Sequence, residues 1–517
     1  MMKKIIKAIV PIILSIGMLL SAFSADAATY ESFAKNPVYS YGVDVSQWNG
    51  DIDWDYLRDI GVEFAYIRVG YYGHDGGTLD KAFKTNVKGC VESGIDFGIY
   101  VYSYIYTYSD SVKMADWVHK QLKSLGNYTK DTDTIQVAYD IEDEVQTNAL
   151  YSGRISADYL HNSVKKFCNR IKSHGYIPTI YSSESFFRDV LDLDDYQKSG
   201  INIWYAQWPY YPDPTIKKVM FNGTSPHAWQ FADNYTIRGT CYDSNACYTD
   251  FYDYSKEDST MTANLAAAYK NRTTGVKPKP EIYDGSTKLK AGEDYNLYYY
   301  KNKLPGRARI KAVRFKDGKY LESKTFIFYI KPDAVKSLKA APSYDNVKLT
   351  WKPTYGATSY LIYEKTASDT GYYLIDEVKS TSYIDGFLDE GTSYGFKIIP
   401  VMSIDGKRVK GTSSVINADT TYKSVKFRTL TSDKKGQATL TWTPQKSNTK
   451  GYIIEYSTDK AFKTKSRYKV YGIDKSNAVI KGLSSKTRYY FRVRSYNSVN
   501  QKAYYSDYSI KRSVTVK

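Results

Sequence analysis

Short apolar runs alternating with amphipathic helical patterns in the front half, a rear half without helical periodicity, and a reversal of charge between them predict an α/β chain. The expected architecture is an irregular, TIM-like β/α barrel followed by all-β sandwich modules. Eight strand candidates lie between Tyr39 and Tyr254: Tyr41–Val45, Phe64–Val69, Phe97–Tyr104, Ile135–Ile141, Ile177–Tyr181, Ile201–Ala206, His227–Phe231 and Tyr248–Tyr252. Helical patterns at Leu79–Ser93, Asp110–Leu125 and Ser156–His174 supply crossovers, while the later connections are too short for full helices, so the barrel is expected to be irregular.

At 517 residues the chain exceeds one hydrophobic core, and roughly three to four domains are expected. Lys3, Lys4 and Lys7 precede an apolar stretch from Ala8 to about Phe23, and Ala25-Asp26-Ala27 has the small-x-small form of a cleavage site. Residues 1–27 therefore read as a signal peptide, and a secreted, extracellular or wall-associated protein is expected, with no membrane partner after cleavage. The barrel is assigned to 39–254. Residues 255–276 are polar and end in Gly275-Val276-Lys277-Pro278-Lys279-Pro280, which reads as a linker. Beyond it, apolar and polar residues alternate in short runs between turn signals, beginning with an immunoglobulin-like β module at 277–334.

The net charge of +17 is unevenly shared. Residues 28–258 hold 21 basic and 32 acidic side chains, whereas 259–517 hold 48 and 22. A basic rear half on an exported chain suits anionic wall polymers better than nucleic acid, through a long-range attraction that salt weakens. Its alternative is a solvated face with no dedicated partner. Four cysteines cannot build a disulfide scaffold. Cys241 and Cys247 are candidates for a local staple, and Cys90 and Cys168 for buried thiols. Five histidines, none at ligand spacing with Cys or Glu, leave a metal site unsupported, and no cofactor is expected.

The chemistry is concentrated in TIQVAYDIEDE, residues 134–144, where Asp140 and Glu142 end an apolar run. Side chains two apart on a strand face the same way, so both carboxyls would enter one pocket. YSYGVDVSQWNG, residues 39–50, sets Asp44 at the end of an earlier strand. An acid at a strand end is commonly a cap for the next turn, but buried carboxylates without partners are costly, and three together point to function. Like charges in a desolvated site hold one carboxyl protonated, the inventory that hydrolysis of a glycosidic bond requires. Tyr66, Tyr104, Tyr181, Trp204 and Trp208, at or near strand ends, are candidates for stacking on sugar rings, with core packing as the alternative.

YGVDVSQWNGDIDWDYLRDIGVEFAYIRVGYYG (41–73), VAYDIED (137–143), IWYAQW (203–208) and HAWQF (227–231) resemble the glycoside hydrolase family 25 lysozymes, in order and across the front domain. The resemblance implies an irregular β/α barrel that cleaves the β-1,4 bond after N-acetylmuramic acid in peptidoglycan. It implies Glu142 as general acid, Asp140 as its tuning partner and Asp44 as a further active-site acid. The fourth acid falls in Thr249-Asp250-Phe251-Tyr252, which departs from the family's pattern, making Asp250 the candidate of lower rank. In the rear, Leu349-Thr350-Trp351-Lys352-Pro353 with Tyr360-Leu361-Ile362 matches Leu440-Thr441-Trp442-Thr443-Pro444 with Tyr452-Ile453-Ile454. Likewise Leu388, Thr392, Tyr394 and Phe396 match Leu483, Thr487, Tyr489 and Phe491. These repeats resemble tandem fibronectin type III modules at 335–421 and 422–517. A non-catalytic wall-binding or adhesive protein is the alternative, against which the acids speak. A chitinase-like hydrolase would need a longer DxxDxDxE spacing, absent from 134–144.

Overall fold

A computed structural model describes residues 40–517 except 132, 133, 211, 215, 446–448, 500 and 501. The expected signal peptide lies outside the described residues. The chain divides into two units, one extending to Ile330 and one spanning Lys331–Lys517.

The first unit is built on β1 (Ser40–Val45), β2 (Val62–Gly73), β3 (Gly76–Leu79), β4 (Asp96–Ser103), β5 (Gln136–Asp140), β6 (Ile177–Ser183), β7 (Asn202–Ala206), β8 (Ala228–Ile237) and β9 (Thr240–Cys247). β1 and β2 pair in parallel, as do β2 and β4 and then each successive pair to β8. β9 runs antiparallel to both β8 and β1 and closes an eight-stranded barrel, with β3 attached outside on β2. The reversal is made by a two-residue turn in which Arg238 and Gly239 both have positive φ, the geometry a tight hairpin requires.

The closing strand differs from the sequence expectation, which put it at Tyr248–Tyr252. Thr240–Cys247 is rich in Asp, Asn and Ser and reads as a loop because its inward face is polar. Extended over β9, Cys241 and Cys247 stand about 20 Å apart at roughly 3.3 Å per residue, too far to bridge. All four cysteines are free thiols, and Cys90 and Cys168 are buried.

Strand alternation sorts the side chains into two layers. Phe64, Tyr66, Ala138, Tyr181, Trp204, Ala206, Ala228 and Cys247 fill the bore. The intervening Ala65, Ile67, Val137, Tyr139, Ile180, Ile203, Tyr205 and Trp229 pack outward in the larger core that includes the helices. Helices at Phe83–Glu92, Tyr108–Lys123 and Ala157–Ser173 bury one apolar stripe each, for example Leu160, Val164, Phe167 and Ile171. Among the described residues no helix separates β7 from β8.

The stretch expected as a linker carries two short strands, β10 (Met261–Ala263) and β11 (Ala268–Lys270). They complete two small sheets with β12 (Ile282–Asp284), β13 (Thr287–Lys288), β14 (Tyr295–Tyr300), β15 (Gly306–Lys316) and β16 (Lys319–Lys331). This module packs on the end of the barrel where the parallel strands begin. Tyr300 donates to the Gly94 carbonyl at 2.7 Å, and Lys311 Nζ meets Asp96 at 2.6 Å. Arg309, 3% exposed along its side chain, lies between Glu63 and Asp96.

The second unit contains two sandwiches of one plan. In each, a three-stranded sheet faces a five-stranded one, with strands following in the same order. Trp351 packs on Tyr360 and Trp442 on Tyr452, with ring centroids 5.3 and 5.1 Å apart. The hydroxyls of Tyr394 and Tyr489 accept from the backbone N–H five residues upstream.

Candidate active site

Where the parallel strands end, the barrel opens into a cleft of about 290 Å³ lined by Asp44, Arg68, Tyr100, Tyr102, Asp140, Glu142, Tyr181, Trp204, Gln230 and Asp243, with Trp48 and Asn49 at its rim. Asp44 and Asp140 come from the carboxyl ends of β1 and β5, and Glu142 follows β5 two residues later. Asp243 stands opposite Asp44 in the β9 register.

Asp44 is buried and its Oδ2 accepts from Gln230 Nε2 and Asn245 Nδ2, both at 2.9 Å. Each amide is itself oriented. Trp204 donates its indole N–H to Asn245 at 2.7 Å, and Tyr181 and Trp208 donate to Gln230 at 2.8 and 3.0 Å. Those bonds fix which end of each amide is the donor, so both amino groups point at Asp44. Burial raises the Asp44 pKa above the usual carboxylate value, and the donors pull it partly back. Asp243 is pushed up to about 9 by burial and then by the neighbouring Asp44, so of the two it holds a proton the more tightly.

Asp140 is 4% exposed, and its Oδ1 is buried without a hydrogen-bond partner among the described residues. Desolvation, then repulsion from Glu142 and Asp44, holds its pKa well above the ordinary value. Glu142 opens to solvent at the cleft mouth, with Tyr102, Asp140 and Tyr181 lining the same cleft. Desolvation and then the charges of Asp44 and Asp143 raise it to about 7, against the pull of the Tyr181 hydroxyl. Arg68 is the cation lining this cleft, and its Nε is held by the buried Asp80 at 2.8 Å. The acids therefore repel one another with little neutralisation.

The structure brings Asp44, Asp140, Glu142, Tyr181 and Trp204 together as the sequence suggests. It places four other candidates elsewhere. Asp250 follows the end of β9, and because β9 is reversed that end lies at the opposite mouth of the barrel, where Asp250 pairs with Arg307 of β15. Tyr66 lies one layer deeper in the bore, fully buried, stacked on Trp204 at 4.0 Å and donating to Gln136 at 2.7 Å. Gly98 leaves the room it needs, since a Cβ there would come within 2.9 Å of the Tyr66 ring. Tyr104 stands outside the cleft lining, exposed, its ring 5.1 Å from that of Tyr102 and 5.9 Å from that of Tyr71. Trp208 is half exposed and faces an adjoining hollow with Ser183, Glu184 and Arg188, while its indole braces Gln230.

Sequence reasoning missed Asp243, Gln230, Asn245, Arg68, Tyr100, Tyr102 and Trp48. The period-two spacing of Asp243, Asn245 and Cys247 was the available signal for the first and third. Trp48, 80% exposed, sits on a single helical turn, Gln47–Asn49, whose Ser46 and Asn49 cap each other and whose Asn49 side chain donates to the Cys241 carbonyl of β9.

Residues 43–240 match the sequence profile of Glycosyl hydrolases family 25, and residues 424–511 that of the Fibronectin type III domain. The chain carries a family 25 glycoside hydrolase domain. The matched span begins beside Asp44 and ends before Asp243, so the profile covers three of the four cleft acids and stops at the reversed strand. Solved structures similar to the chain include the Clostridium perfringens spore cortex lytic enzyme SleM, at 16% identity over 74% of this chain and 99% of that one, with a TM-score of 0.34. A family 25 glycosyl hydrolase from Bacillus anthracis is 18% identical over 41% and 89% of the respective chains, with a TM-score of 0.32. A two-domain fibronectin type III segment of chicken tenascin is 22% identical over 35% and 99%, with a TM-score of 0.24. No curated protein matches the chain.

Proposed function

We propose that the chain is a secreted peptidoglycan hydrolase that cleaves the β-1,4 bond between N-acetylmuramic acid and N-acetylglucosamine, with Glu142 as proton donor. The observation that carries this reading is the convergence of Asp44, Asp140, Glu142 and Asp243 in one cleft of a family 25 domain, with Arg68 already engaged by Asp80. A glycosidic oxygen leaves as an alcohol only if it is protonated as the bond breaks, and a carboxyl raised to about 7 retains its proton until then. The positive charge that develops at the anomeric carbon is met by the carboxylate of Asp44, and Asp140 stands beside Glu142 to order the sugar's 2-substituent. Trp48, Tyr100 and Tyr102 offer ring faces to the saccharide.

The same proposal gives the basic rear half, 259–517, the task of holding the enzyme to an anionic cell wall. Incubating purified peptidoglycan with wild type and Glu142→Gln tests the chemistry: reducing N-acetylmuramic acid ends should appear, and the variant should release them about 10²–10⁴-fold more slowly. Equal release by both would remove Glu142 from its role, and reducing N-acetylglucosamine ends would change the bond assignment.

A further inference from the structure

The last sandwich carries a face that its fold does not require. Cross-strand partners in its five-stranded sheet form three successive rows on the outer side. In the first, Arg467 and Arg492 flank Glu455; in the second, Lys469 and Arg494 flank Ile453; in the third, Tyr471 and Tyr496 flank Gly451, with Tyr505 next to Tyr496. The rows point outward because Tyr452 and Ile454, which alternate with them, are buried in the sandwich core.

The first row is internally neutralised. Glu455 accepts from Arg467 at 2.9 Å and from Arg492 at 2.6 Å, and although burial raises its pKa, the arginines and Tyr508 hold it at about 2. The second row is different. Arg494 lies 4.0 Å from the Tyr505 ring centroid and 4.5 Å from that of Tyr508, and Lys469 lies 4.4 Å from Tyr496 and 5.0 Å from Tyr471. No carboxylate pairs with either among the described residues. Aromatic rings fix these cations in place without cancelling their charge, which leaves them available to an external anion. Tyr471 is 69% exposed and Tyr505 39%, so rings and charges are presented together.

The neighbouring sandwich serves as a control. At its matching register positions Leu361 is flanked by Glu377 and Ile399 rather than by Lys and Arg. The same architecture therefore forms without the two cations.

We propose that this face binds a phosphodiester-linked anionic polymer of the cell wall, its charges on Lys469 and Arg494 and its sugar or polyol units along the exposed Tyr471 and Tyr505, with the buried Tyr496 supporting Lys469 from beneath. The proposal rests on the wall-tether reading above and locates it. The choice of anion follows from charge and shape. A phosphodiester keeps its single charge at every pH an exported protein meets, and its two free oxygens match the open edge of a stacked guanidinium. The tyrosine row suits a partner with carbon-rich units between its charges.

The experiment compares full-length wild type, Lys469→Gln with Arg494→Gln, and Lys434→Gln with Lys435→Gln, two exposed lysines of the same module. Binding to intact sacculi and to sacculi stripped of phosphodiester polymers is measured at low and moderate salt. The proposal expects the first pair to lose about tenfold in affinity for intact walls, the control pair to lose less than about twofold, and stripping to abolish the difference. Equal losses in both pairs would overturn the face while leaving a general electrostatic tether. Undiminished binding of wild type to stripped walls would overturn the phosphodiester partner, and absence of wild-type binding to any wall would overturn the tether itself. Hydrolysis of solubilised glycan is expected to be equal in all three proteins, and an unchanged urea unfolding curve of the second unit, Lys331–Lys517, shows that the variants fold there.

Discussion

The two mouths of the barrel are both lined by acids, and they treat them in opposite ways. Where the parallel strands begin, Glu63, Asp96 and Asp250 each face a cation from β15: Arg309, Lys311 and Arg307. Where those strands end, Asp44, Asp140, Glu142 and Asp243 converge around Arg68, which Asp80 already occupies. At the first mouth the carboxylates bind a neighbouring module. At the second they raise one another's proton affinity. The contrast teaches that the presence of partners, more than residue type or burial, separates an acid that builds the fold from one that is kept for chemistry.

If that contrast is right, the two sets should respond differently to removal. Asp140→Asn should lower kcat about 10²–10⁴-fold, read on peptidoglycan under conditions where the variant is fully folded. At the other mouth, Arg309→Met leaves Glu63 and part of Asp96 buried without their cation. It should cost about 3–5 kcal/mol in urea unfolding while leaving kcat near wild type. A variant with the reverse pattern would break the comparison. Gln230→Leu removes one of the donors that hold Asp44, and about tenfold should be lost from kcat/KM, close to the ~1.4 kcal/mol expected of one charge-assisted hydrogen bond.

The smallest effect has the most telling sign. The four cleft acids bind their protons more tightly in the folded chain than in the unfolded one, so their contribution to stability falls as pH rises above the ordinary carboxylate range. Asp140→Asn should therefore raise Tm at pH 7, by about 2–4 °C if it relieves ~1 kcal/mol. The gain should shrink as pH falls into the ordinary carboxylate range, where folded and unfolded chains bind these protons alike. A lower Tm at pH 7 would mean that Asp140 is a structural acid.

Much of this was legible from the sequence, for reasons that also explain the failures. Asp44, Asp140 and Glu142 stand at the ends of parallel strands whose outward faces are apolar, so both strand and direction could be read. Asp243 stands on the reversed barrel strand, where the cleft is reached by the first half rather than the end. Its inward neighbour Asn245 further erased the apolar alternation. The same reversal puts Asp250 at the mouth opposite the cleft, beside Arg307. Tyr66 shows another limit: period two tells which face a side chain takes but not how deep in the bore it lies. Arg309 and Lys311 alternate within β15 like solvated charges, and only the barrel packed against them shows that they are buried. In the rear, the repeated Trp and Tyr spacings located two sandwiches because each module buries its own core.

The most direct test of the central claim is the pH dependence of kcat/KM on soluble glycan strands. Activity should fall on the alkaline side with an apparent pKa near 7, as Glu142 loses the proton it must donate. Activity that stays level or increases from pH 6 to pH 9 would contradict it.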